Sequence, residues 1–249
     1  MKLTGNTIFI TGGGSGIGRA LAEALHHLGN KVIISGRRKE RLDETIKANP
    51  GMSAVELNVQ DAASIKVVAK QLIEEFPDLN VLINNAGIIQ PDDAAGLIDE
   101  DVLVSTVATN LLGPIRLTSV LIDHLKSKKE AFVINTTSIL GFVPLSATAV
   151  YSATKAALHN YTLSQRYMLK DTSVKVIEVV PPWVQSNNDE PRAMPLSSFI
   201  DATIRVLGMD TDEVLVEEAK MFRNNPGPNE GVFVTHLNDT MKSEPPKIH

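Results

Sequence analysis

Short apolar runs alternate along the chain with longer segments whose apolar residues recur at helical spacing. The first run, Asn6–Thr11, is rich in β-branched residues, as is typical of a buried parallel strand. A glycine-rich turn follows it, and apolar residues then recur every three or four positions until Gly29, which is a helix stop signal. The pattern therefore predicts a strand, a turn, a helix and a second strand at Lys31–Ser35.

The same alternation continues through the next 150 residues or so. The further predicted strands are Ser53–Val59, Leu79–Asn84, Glu130–Thr137 and Val174–Val180. The predicted helices between and after them are Asp61–Phe76, Asp99–Lys126 and Val150–Lys170. Repeated βα units predict an α/β fold of the Rossmann type, a doubly wound parallel sheet of about seven strands with helices on both faces. A ligand is expected beyond the carboxyl ends of the strands, where the strand order reverses.

Composition narrows the classes of function. Hydrophobic residues make up 43% and charged residues 21% of the 249 positions, which is typical of a soluble globular protein. No apolar run is long enough to span a bilayer and no secretory signal is visible, so we expect a cytoplasmic protein without membrane insertion. There is no cysteine, and the six histidines lack zinc-ligand spacing, so no metal site is expected. The net charge of −5 argues against nucleic acid as a partner.

The glycine-rich turn, Thr11–Gly18, has the sequence TGGGSGIG. Between a strand and a helix, such a segment favours dinucleotide binding over the alternative of a plain flexible turn. Gly12 can turn tightly, Gly16 lets the backbone approach a pyrophosphate, and Gly18 lets the helix pack closely on the strand. The helix N-terminus offers free N–H groups to phosphates. No Gly-Lys-Ser/Thr follows, which excludes a Walker A phosphate loop.

A second candidate for chemistry is the pair formed by Tyr151 and Lys155. Residues four apart lie on the same face of a helix, so an ammonium there would lower the pKa of the phenol. A phenol titrates ordinarily near pH 10, and a lowered pKa would make Tyr151 a general acid near neutrality. The alternative is that the two residues share a solvated helix face by chance.

Taken together, these motifs resemble those of the short-chain dehydrogenase/reductase family. The motifs are Thr11–Gly18, Asn84-Asn85-Ala86-Gly87 after a strand, Ser138 after another strand, and Tyr151-x-x-x-Lys155. The resemblance covers roughly residues 3–186, in the order and spacing of the family. The start MKLTGNTIFITGG and Pro181-Pro182-Trp183-Val184 further resemble a bacterial subgroup associated with lipoteichoic-acid operons.

The charges after the second strand predict NADP(H) as the preferred cofactor, with NAD(H) as the alternative. NAD-selective sites place a carboxylate about 20 residues after the glycines, to bind the ribose 2′-hydroxyl. Here the strand ends in Ser35-Gly36-Arg37-Arg38. Gly36 leaves space, and the two guanidinium groups can hold a 2′-phosphate. The alternative is that both arginines only solvate the start of the next helix, where a cation is slightly unfavourable.

The resemblance implies the remaining cofactor contacts. They are Thr11, Ser15, Ile17, Asn58, Val59, Asn85, Ala86, Gly87, Tyr151, Lys155, Pro181, Val184 and Ser186. Asn58 replaces the usual Asp beside the adenine, and an amide oxygen can still accept from the adenine amino group. Ser186 replaces the usual Thr near the nicotinamide amide.

The resemblance also implies four catalytic residues. Tyr151 would donate a proton in reduction and accept one in oxidation, and Lys155 would lower the pKa of Tyr151 and bind the nicotinamide ribose. Ser138 would hydrogen-bond the substrate oxygen. Asn110 would hold a water molecule for proton relay to Lys155, and its alternative is a satisfied core amide.

The predicted substrate is a small or medium-sized hydrophobic ketone or secondary alcohol. The predicted substrate-site residues are Ser138, Leu140, Val143, Leu145, Tyr151 and Trp183. Pro182 stands where the family has Gly, and proline stiffens the backbone and removes an N–H donor. The polar, proline-bounded segment Asn187–Pro195 predicts a mobile lid.

We interpret residues 1–249 as one domain with three parts. Residues 3–186 form the cofactor-binding and catalytic core, 187–211 the substrate-loop and lid region, and 212–249 a C-terminal segment that departs from the family. The last part predicts a strand at Glu213–Glu217 and helices at Ala219–Asn224 and Glu230–Met241. It lacks the Asp-Gly-Gly turn that the family often uses in tetramer formation, which argues against a tetramer. A homodimer through the helices Asp99–Lys126 and Val150–Lys170 is expected.

Two alternatives to hydride transfer stay open. One is a sensor or regulatory protein that binds NADP without turnover, although pure binding does not require an activated tyrosine. The other is an epimerase or dehydratase on the same fold, which would need a larger sugar-nucleotide domain than the stretch after residue 186 provides.

Overall fold

The computed structural model describes residues 1–185 and 190–243. Ser186 and part of the predicted lid fall outside the described residues. The described strands form one parallel sheet in the order β3-β2-β1-β4-β5-β6-β7. The strands are β1 (Thr7–Thr11), β2 (Lys31–Gly36), β3 (Ser53–Glu56), β4 (Leu79–Asn84), β5 (Ala131–Thr136), β6 (Val174–Val180) and β7 (Glu213–Leu215). The predicted doubly wound α/β fold with seven parallel strands is confirmed.

Helices cover both faces of the sheet. They are α1 (Gly16–His27), α2 (Lys39–Ala48), α3 (Ala62–Glu75), α4 (Glu100–Val107), α5 (Gly113–Lys126), α6 (Ala149–Leu169), α7 (Leu196–Leu207), α8 (Glu217–Arg223) and α9 (Glu230–Ser243). Of the helices in the described part of the chain, none is long and apolar enough to cross a membrane.

The central strands β1, β4 and β5 are mostly apolar because both of their faces are buried. Along β1, Ile8 and Ile10 pack into a core with α1 and α7, and Phe9 packs into a second core with α3 and α5. The strand order reverses between β1 and β4, which are paired neighbours although two βα units separate them in sequence. This switch point is where a ligand was expected.

The predicted helix Asp99–Lys126 is interrupted. Asp99 caps its start by accepting hydrogen bonds from two backbone N–H groups. At Ala108–Leu112 the chain forms a π-helical turn, which the N–H of Gly113 closes by donating to the carbonyl of Ala108. A π turn inserts one extra residue into a helix, and such turns are frequent at functional sites. This one contains Asn110.

The C-terminal segment returns to the carboxyl edge of the sheet. The predicted strand at Glu213–Glu217 is shorter than expected, because β7 ends at Leu215 and α8 begins two residues later. The side-chain amide of Asn238 on α9 donates to the carbonyl of Pro144, and its oxygen accepts from the N–H of Ser146. These two bonds attach α9 to the loop that precedes α6.

Candidate active site

A cavity of about 1210 Å³ lies along the carboxyl ends of the strands. Most of the predicted site residues line it, including residues that follow β1 and β4 at the switch point. The predicted residues that line it are Gly12, Ser15, Gly16, Ile17, Gly18, Arg37, Arg38, Asn58, Val59, Asn85, Ala86, Gly87, Ser138, Leu140, Leu145, Tyr151, Lys155, Pro181, Trp183 and Val184. Thr11, Asn110 and Val143 are not part of its lining.

The glycine turn has the backbone that its sequence predicts. Gly12 has a φ of +73° and Gly16 a φ of +54°, values that residues with a side chain rarely adopt. A Cβ on Gly18 would lie 2.3 Å from the Asn85 amide nitrogen and 2.4 Å from the Gly12 carbonyl oxygen. The start of α1 therefore packs directly on the turn and on the segment after β4, with its N-terminus at the cavity.

Thr11 has a different role from the predicted cofactor contact. Its hydroxyl accepts hydrogen bonds of 3.0 Å from the N–H groups of Asn85 and Ala86, and its carbonyl accepts from the Asn85 side chain. Thr11 is buried where the end of β1 meets the end of β4. Thr11 thus joins the ends of the two strands at the switch point. The glycines that follow it line the cavity, and Thr11 does not.

One end of the cavity carries three guanidinium groups. Arg37 and Arg38 are exposed, and Arg38 donates a 3.3 Å hydrogen bond to the Ser15 hydroxyl, which stands at the start of α1. Arg41 of α2 also lines the cavity and pairs with Glu44 at 3.2 Å. The sequence reasoning missed Arg41, although its place one turn after Arg38 was a usable signal. This end is therefore suited to a phosphate group.

Asn58, the residue predicted to contact the adenine, lines the cavity after β3. Its side-chain oxygen accepts a 3.2 Å hydrogen bond from the N–H of Gln60, which fixes the turn between β3 and α3. The oxygen retains a second lone pair, and the amide nitrogen remains a donor. Val59 packs beside Gly113, the first residue of α5.

Tyr151 and Lys155 share one face of α6, as predicted. Lys155 is buried, its ammonium donates a 2.8 Å hydrogen bond to the Thr136 carbonyl, and it lies 5.6 Å from the centroid of the Tyr151 ring. Burial lowers the pKa of Lys155 to about 8, and the negative charge of Glu178 acts in the opposite direction.

The pKa of Tyr151 differs in direction from the expectation. Burial raises the pKa of this phenol, and a hydrogen-bonding interaction with the Ser138 side chain lowers it by less. The expected lowering by Lys155 is not seen, because the ammonium is directed at the Thr136 carbonyl and desolvation of the phenolate dominates.

Ser138 follows β5 and begins a short 3₁₀ turn, Ile139–Gly141. Its side-chain oxygen accepts a 3.1 Å hydrogen bond from the N–H of Leu140. A Cβ on Gly141 would lie 3.0 Å from the Lys155 carbonyl carbon, so the turn packs against the backbone of α6. This packing brings the hydroxyls of Ser138 and Tyr151 together.

Asn110 is fully buried behind the cavity. Its amide nitrogen donates to the carbonyl of Ile88 at 2.8 Å, and its oxygen accepts from the N–H of the same residue at 2.9 Å. A further contact of 3.3 Å joins the amide nitrogen to Thr154, the residue before Lys155. The side chain therefore links the segment after β4 to α6, and the proton-relay role stays a prediction.

The end of the cavity near Tyr151, where the substrate was predicted, has several apolar lining residues. Leu140, Leu145 and Trp183 line it as predicted. Val143 does not, which corrects that prediction: its N–H closes a turn onto the carbonyl of Ile139, and its side chain is fully buried in the core. The turn pulls this position inward, away from the cavity.

Sequence reasoning missed the contribution of the C-terminal segment to this wall. The further lining residues from this segment are Glu218, Phe222, Leu237 and Met241, and Met194 of the predicted lid lines the cavity as well. The rings of Phe222 and Phe233 lie 5.1 Å apart and join α8 to α9. The apolar stripe on α9 could have indicated this contribution. It was used to predict a helix, and the position of that helix in the fold was not predicted.

The loop with Pro182 has a defined path. The carbonyl of Pro181 accepts from the N–H of Ile139, and the carbonyl of Trp183 accepts a 2.8 Å bond from the N–H of Met194. The guanidinium of Arg192 lies 5.1 Å from the centroid of the Trp183 ring. The described residues before and after 186–189 are thus joined side by side at the cavity.

The donor groups along the cavity fit a nicotinamide dinucleotide. Guanidinium groups suit a phosphate at one end, the glycine turn and the N-terminus of α1 suit a pyrophosphate, and the buried ammonium of Lys155 faces the other end. The glycine turn fits such a group because the absence of a side chain at Gly18, where any Cβ would collide with its neighbours, lets the start of α1 pack closely on the turn.

Comparisons with known proteins show what this chain resembles. The family model described as short chain dehydrogenase matches residues 6–194. The uncharacterized oxidoreductase DltE of Bacillus subtilis is 42% identical over 187 residues, 75% of this chain and 74% of the relative. An NADP-dependent 3-hydroxy acid dehydrogenase of Schizosaccharomyces pombe is 33% identical over 191 residues, 74% of each chain. The crystal structure of a short-chain dehydrogenase from Burkholderia cenocepacia in complex with NADP has a TM-score of 0.84 at 27% identity, covering 95% of this chain and 99% of that one.

Proposed function

The chain belongs to the short-chain dehydrogenase family, whose members are oxidoreductases, and from this premise we propose an NADP(H)-dependent carbonyl reductase or alcohol dehydrogenase. The substrate is a small or medium-sized hydrophobic ketone or secondary alcohol. One observation carries the proposal: a single cavity joins three guanidinium groups at one end to Ser138, Tyr151 and Lys155 at the other.

The cofactor supplies the hydride donor or acceptor, and the protein supplies binding and proton transfer. Arg37, Arg38 and Arg41 line the cavity and would hold the 2′-phosphate, which favours NADP(H) over NAD(H). The N–H groups at the start of α1 hold the pyrophosphate. The complex of the Burkholderia relative with NADP and the name of the yeast relative support the same preference.

Tyr151 transfers the proton. In reduction, the substrate carbonyl oxygen takes the proton of the Tyr151 hydroxyl while the carbonyl carbon is reduced, and oxidation reverses both changes. Ser138 donates its hydroxyl hydrogen to the same substrate oxygen and so fixes the reacting group beside Tyr151. The Lys155 ammonium stabilises the phenolate that forms and binds the ribose next to the nicotinamide.

The apolar wall selects the substrate. Leu140 and Trp183 come from the core, and Phe222 and Leu237 come from α8 and α9, so the wall surrounds the reacting carbon with hydrocarbon and aromatic surface. Such a wall favours aliphatic or aryl substituents over charged ones.

We also propose a homodimer through α4 to α6. Val104 on α4 and Leu163, Tyr167 and Met168 on α6 are exposed apolar side chains, and exposed apolar surface of this kind marks association sites. Sedimentation equilibrium of the purified protein gives the mass. A monomer at all concentrations would contradict the dimer.

The test of the function is initial-rate oxidation of NADPH and of NADH with a panel of aliphatic ketones, aryl ketones and keto esters, together with oxidation of 3-hydroxy acids. We expect turnover with hydrophobic ketones, faster with NADPH. Turnover that favours NADH would keep the reaction and overturn the role of the arginines. Tight NADPH binding with no turnover on any substrate would favour the sensor alternative.

A further inference from the structure

A buried carboxylate lies beneath the proposed reaction centre. Glu178 is in the middle of β6, among apolar residues, and its side chain has no solvent exposure. Taking a carboxylate out of water is costly unless it is paired and hydrogen-bonded. Nothing in the proposed reaction uses this residue directly, so its presence in the sheet requires another reason.

Glu178 is bonded through both oxygens. One oxygen accepts a 2.6 Å hydrogen bond from the Thr137 hydroxyl and lies 3.0 Å from Nδ1 of His159. The other oxygen lies 2.8 Å from the same nitrogen. The imidazole of His159 therefore donates from Nδ1, and it is held edge-on against the Phe142 ring at 4.7 Å. The carboxylate is satisfied by hydrogen bonds in a position that water does not reach.

This network touches the catalytic residues from both sides. His159 follows Lys155 by one turn of α6, and the Lys155 ammonium donates to the carbonyl of Thr136. The next residue, Thr137, donates to Glu178, and the residue after that is Ser138. One stretch of three residues is thus bonded to Lys155 at its start and to Glu178 at its middle, and it ends in the proposed substrate-orienting serine.

The other charged groups around Glu178 have partners of their own. Arg223 of α8 is bonded to Glu213 of β7 at 2.9 Å, and Arg166 of α6 lies 3.6 Å from Asp212. Among the described residues, Glu178 is the charge that favours the ammonium form of Lys155, whose pKa burial otherwise lowers. Tyr151 is the remaining titratable group on this face of α6.

We propose that Glu178 is a positioning residue that acts through Lys155: its buried negative charge keeps the ammonium protonated, and its bond to Thr137 fixes the segment that carries Ser138. His159 holds the carboxylate in place through Nδ1. The link to catalysis rests on the proposed function, because it requires Lys155 to act on Tyr151 in its charged form. The electrostatic part is a property of the folded chain and is measurable without turnover.

The first test is direct titration by NMR. In protein labelled with ¹³C at lysine Cε, the Lys155 signal is assigned with Lys155→Arg and followed against pH. We expect a midpoint near the value of about 8 in the unaltered chain, and a midpoint about one pH unit lower in Glu178→Gln, where the opposite charge is gone.

Two further variants serve as controls. Glu178→Asp keeps the charge, so its Lys155 midpoint should lie close to that of the unaltered chain. Asp210→Asn removes an exposed carboxylate and should not move it. An unchanged midpoint in folded Glu178→Gln overturns the proposal.

A measurement on the unaltered protein decides the matter if Glu178→Gln does not fold. The ¹³Cδ shift of Glu178 reports whether the carboxyl group is ionised at about pH 7 to 8, where a free glutamate is fully charged. An ionised group supports the proposal, and a protonated one overturns it, because a neutral carboxyl group cannot act as a counter-charge.

The second test is kinetic. In Glu178→Gln the pH profile of kcat/KM should move to lower pH by about the same amount as the Lys155 midpoint, whereas a purely structural loss would lower the rate without moving the profile. A midpoint that moves without the profile overturns the catalytic link. If no carbonyl substrate turns over, the proposed function fails while the NMR titration still tests the counter-charge.

Discussion

The Lys155 ammonium donates a 2.8 Å hydrogen bond to the carbonyl of Thr136, two residues before Ser138. The cation of the predicted Tyr-Lys pair is therefore held by the backbone at the end of β5, and its distance to the Tyr151 ring centroid is 5.6 Å. The backbone bond fixes where the charge of Lys155 lies relative to the Tyr151 ring. Four predictions follow from this arrangement and from the cavity around it.

Removing the Tyr151 hydroxyl should abolish proton transfer while leaving the fold and the cofactor site intact. We expect Tyr151→Phe to lower kcat by about 1000-fold, the usual contribution of a positioned general acid. NADPH affinity, measured by quenching of protein fluorescence, should change little. Tyr161→Phe is the matched control, since Tyr161 lies on the same helix and does not line the cavity. Full activity in Tyr151→Phe would refute the catalytic assignment.

The guanidinium groups should set the choice between NADP(H) and NAD(H). We expect Arg38→Ala to weaken NADPH binding by about tenfold or more, because a hydrogen bond between charged groups is worth about 1.5–3 kcal/mol. NADH binding should be unaffected. Arg37→Ala and Arg41→Ala divide the effect among the three groups. Lys39→Ala is the control, because Lys39 pairs with Asp43 and does not line the cavity. Equal losses for both cofactors would contradict a 2′-phosphate site.

Burial of Lys155 should make stability depend on pH. The pKa of Lys155 falls from 10.5 to about 8 in the folded protein, so the unfolded chain binds more protons between these values and stability rises with pH across that window. Below about pH 8 the full cost of the buried ammonium is present, on the order of 3 kcal/mol. Urea unfolding should therefore show Lys155→Met gaining most relative to the unaltered chain at pH 7, with the gain shrinking towards pH 10 or so. Lys170→Met, at the exposed end of α6, should show no such trend.

Gly18 should tolerate no side chain. A Cβ there would lie 2.3 Å from the Asn85 amide and 2.4 Å from the Gly12 carbonyl, so Gly18→Ala must displace the start of α1 or the glycine turn. We expect a loss of about 1–3 kcal/mol in the free energy of unfolding, together with weaker NADPH binding. Gly231→Ala is the control: nothing lies within 4 Å of its Cβ position on α9. That variant should be stabilised by about 0.5–1 kcal/mol. Equal stabilities of the two variants would contradict the close packing.

The fold and most of the residues that line the cavity could be predicted from local sequence. The glycine turn, the strand at Leu79–Asn84 and the helix with Tyr151 and Lys155 depend on residues close together in the chain, and each lies where it was predicted. The predicted family and its bacterial subgroup are confirmed by the matches to the family model and to the Bacillus relative.

The remaining features depend on contacts between distant segments. Val143 has the composition of a wall residue, and its inward position is fixed by a turn that an apolar pattern does not encode. The attachment of Asn238 to Pro144 spans 94 residues, and the bonds among Glu178, Thr137 and His159 span 19 to 41. The sequence places Glu178 in a mostly apolar strand, and its hydrogen-bond partners become apparent only in the folded chain.

Asn238 reaches the body of the protein through main-chain atoms of Pro144 and Ser146. Because these hydrogen bonds use main-chain atoms of Pro144 and Ser146, they do not depend on the side chains of those two residues. The segment from residue 190 onward can therefore change in sequence and stay attached, as long as Asn238 is kept. The family model stops at residue 194, just where this segment begins to supply the wall of the cavity. Phe222, Leu237 and Met241, which supply part of this wall, therefore lie outside the stretch that the family model matches, so membership of the family leaves the shape of this end of the cavity open to change.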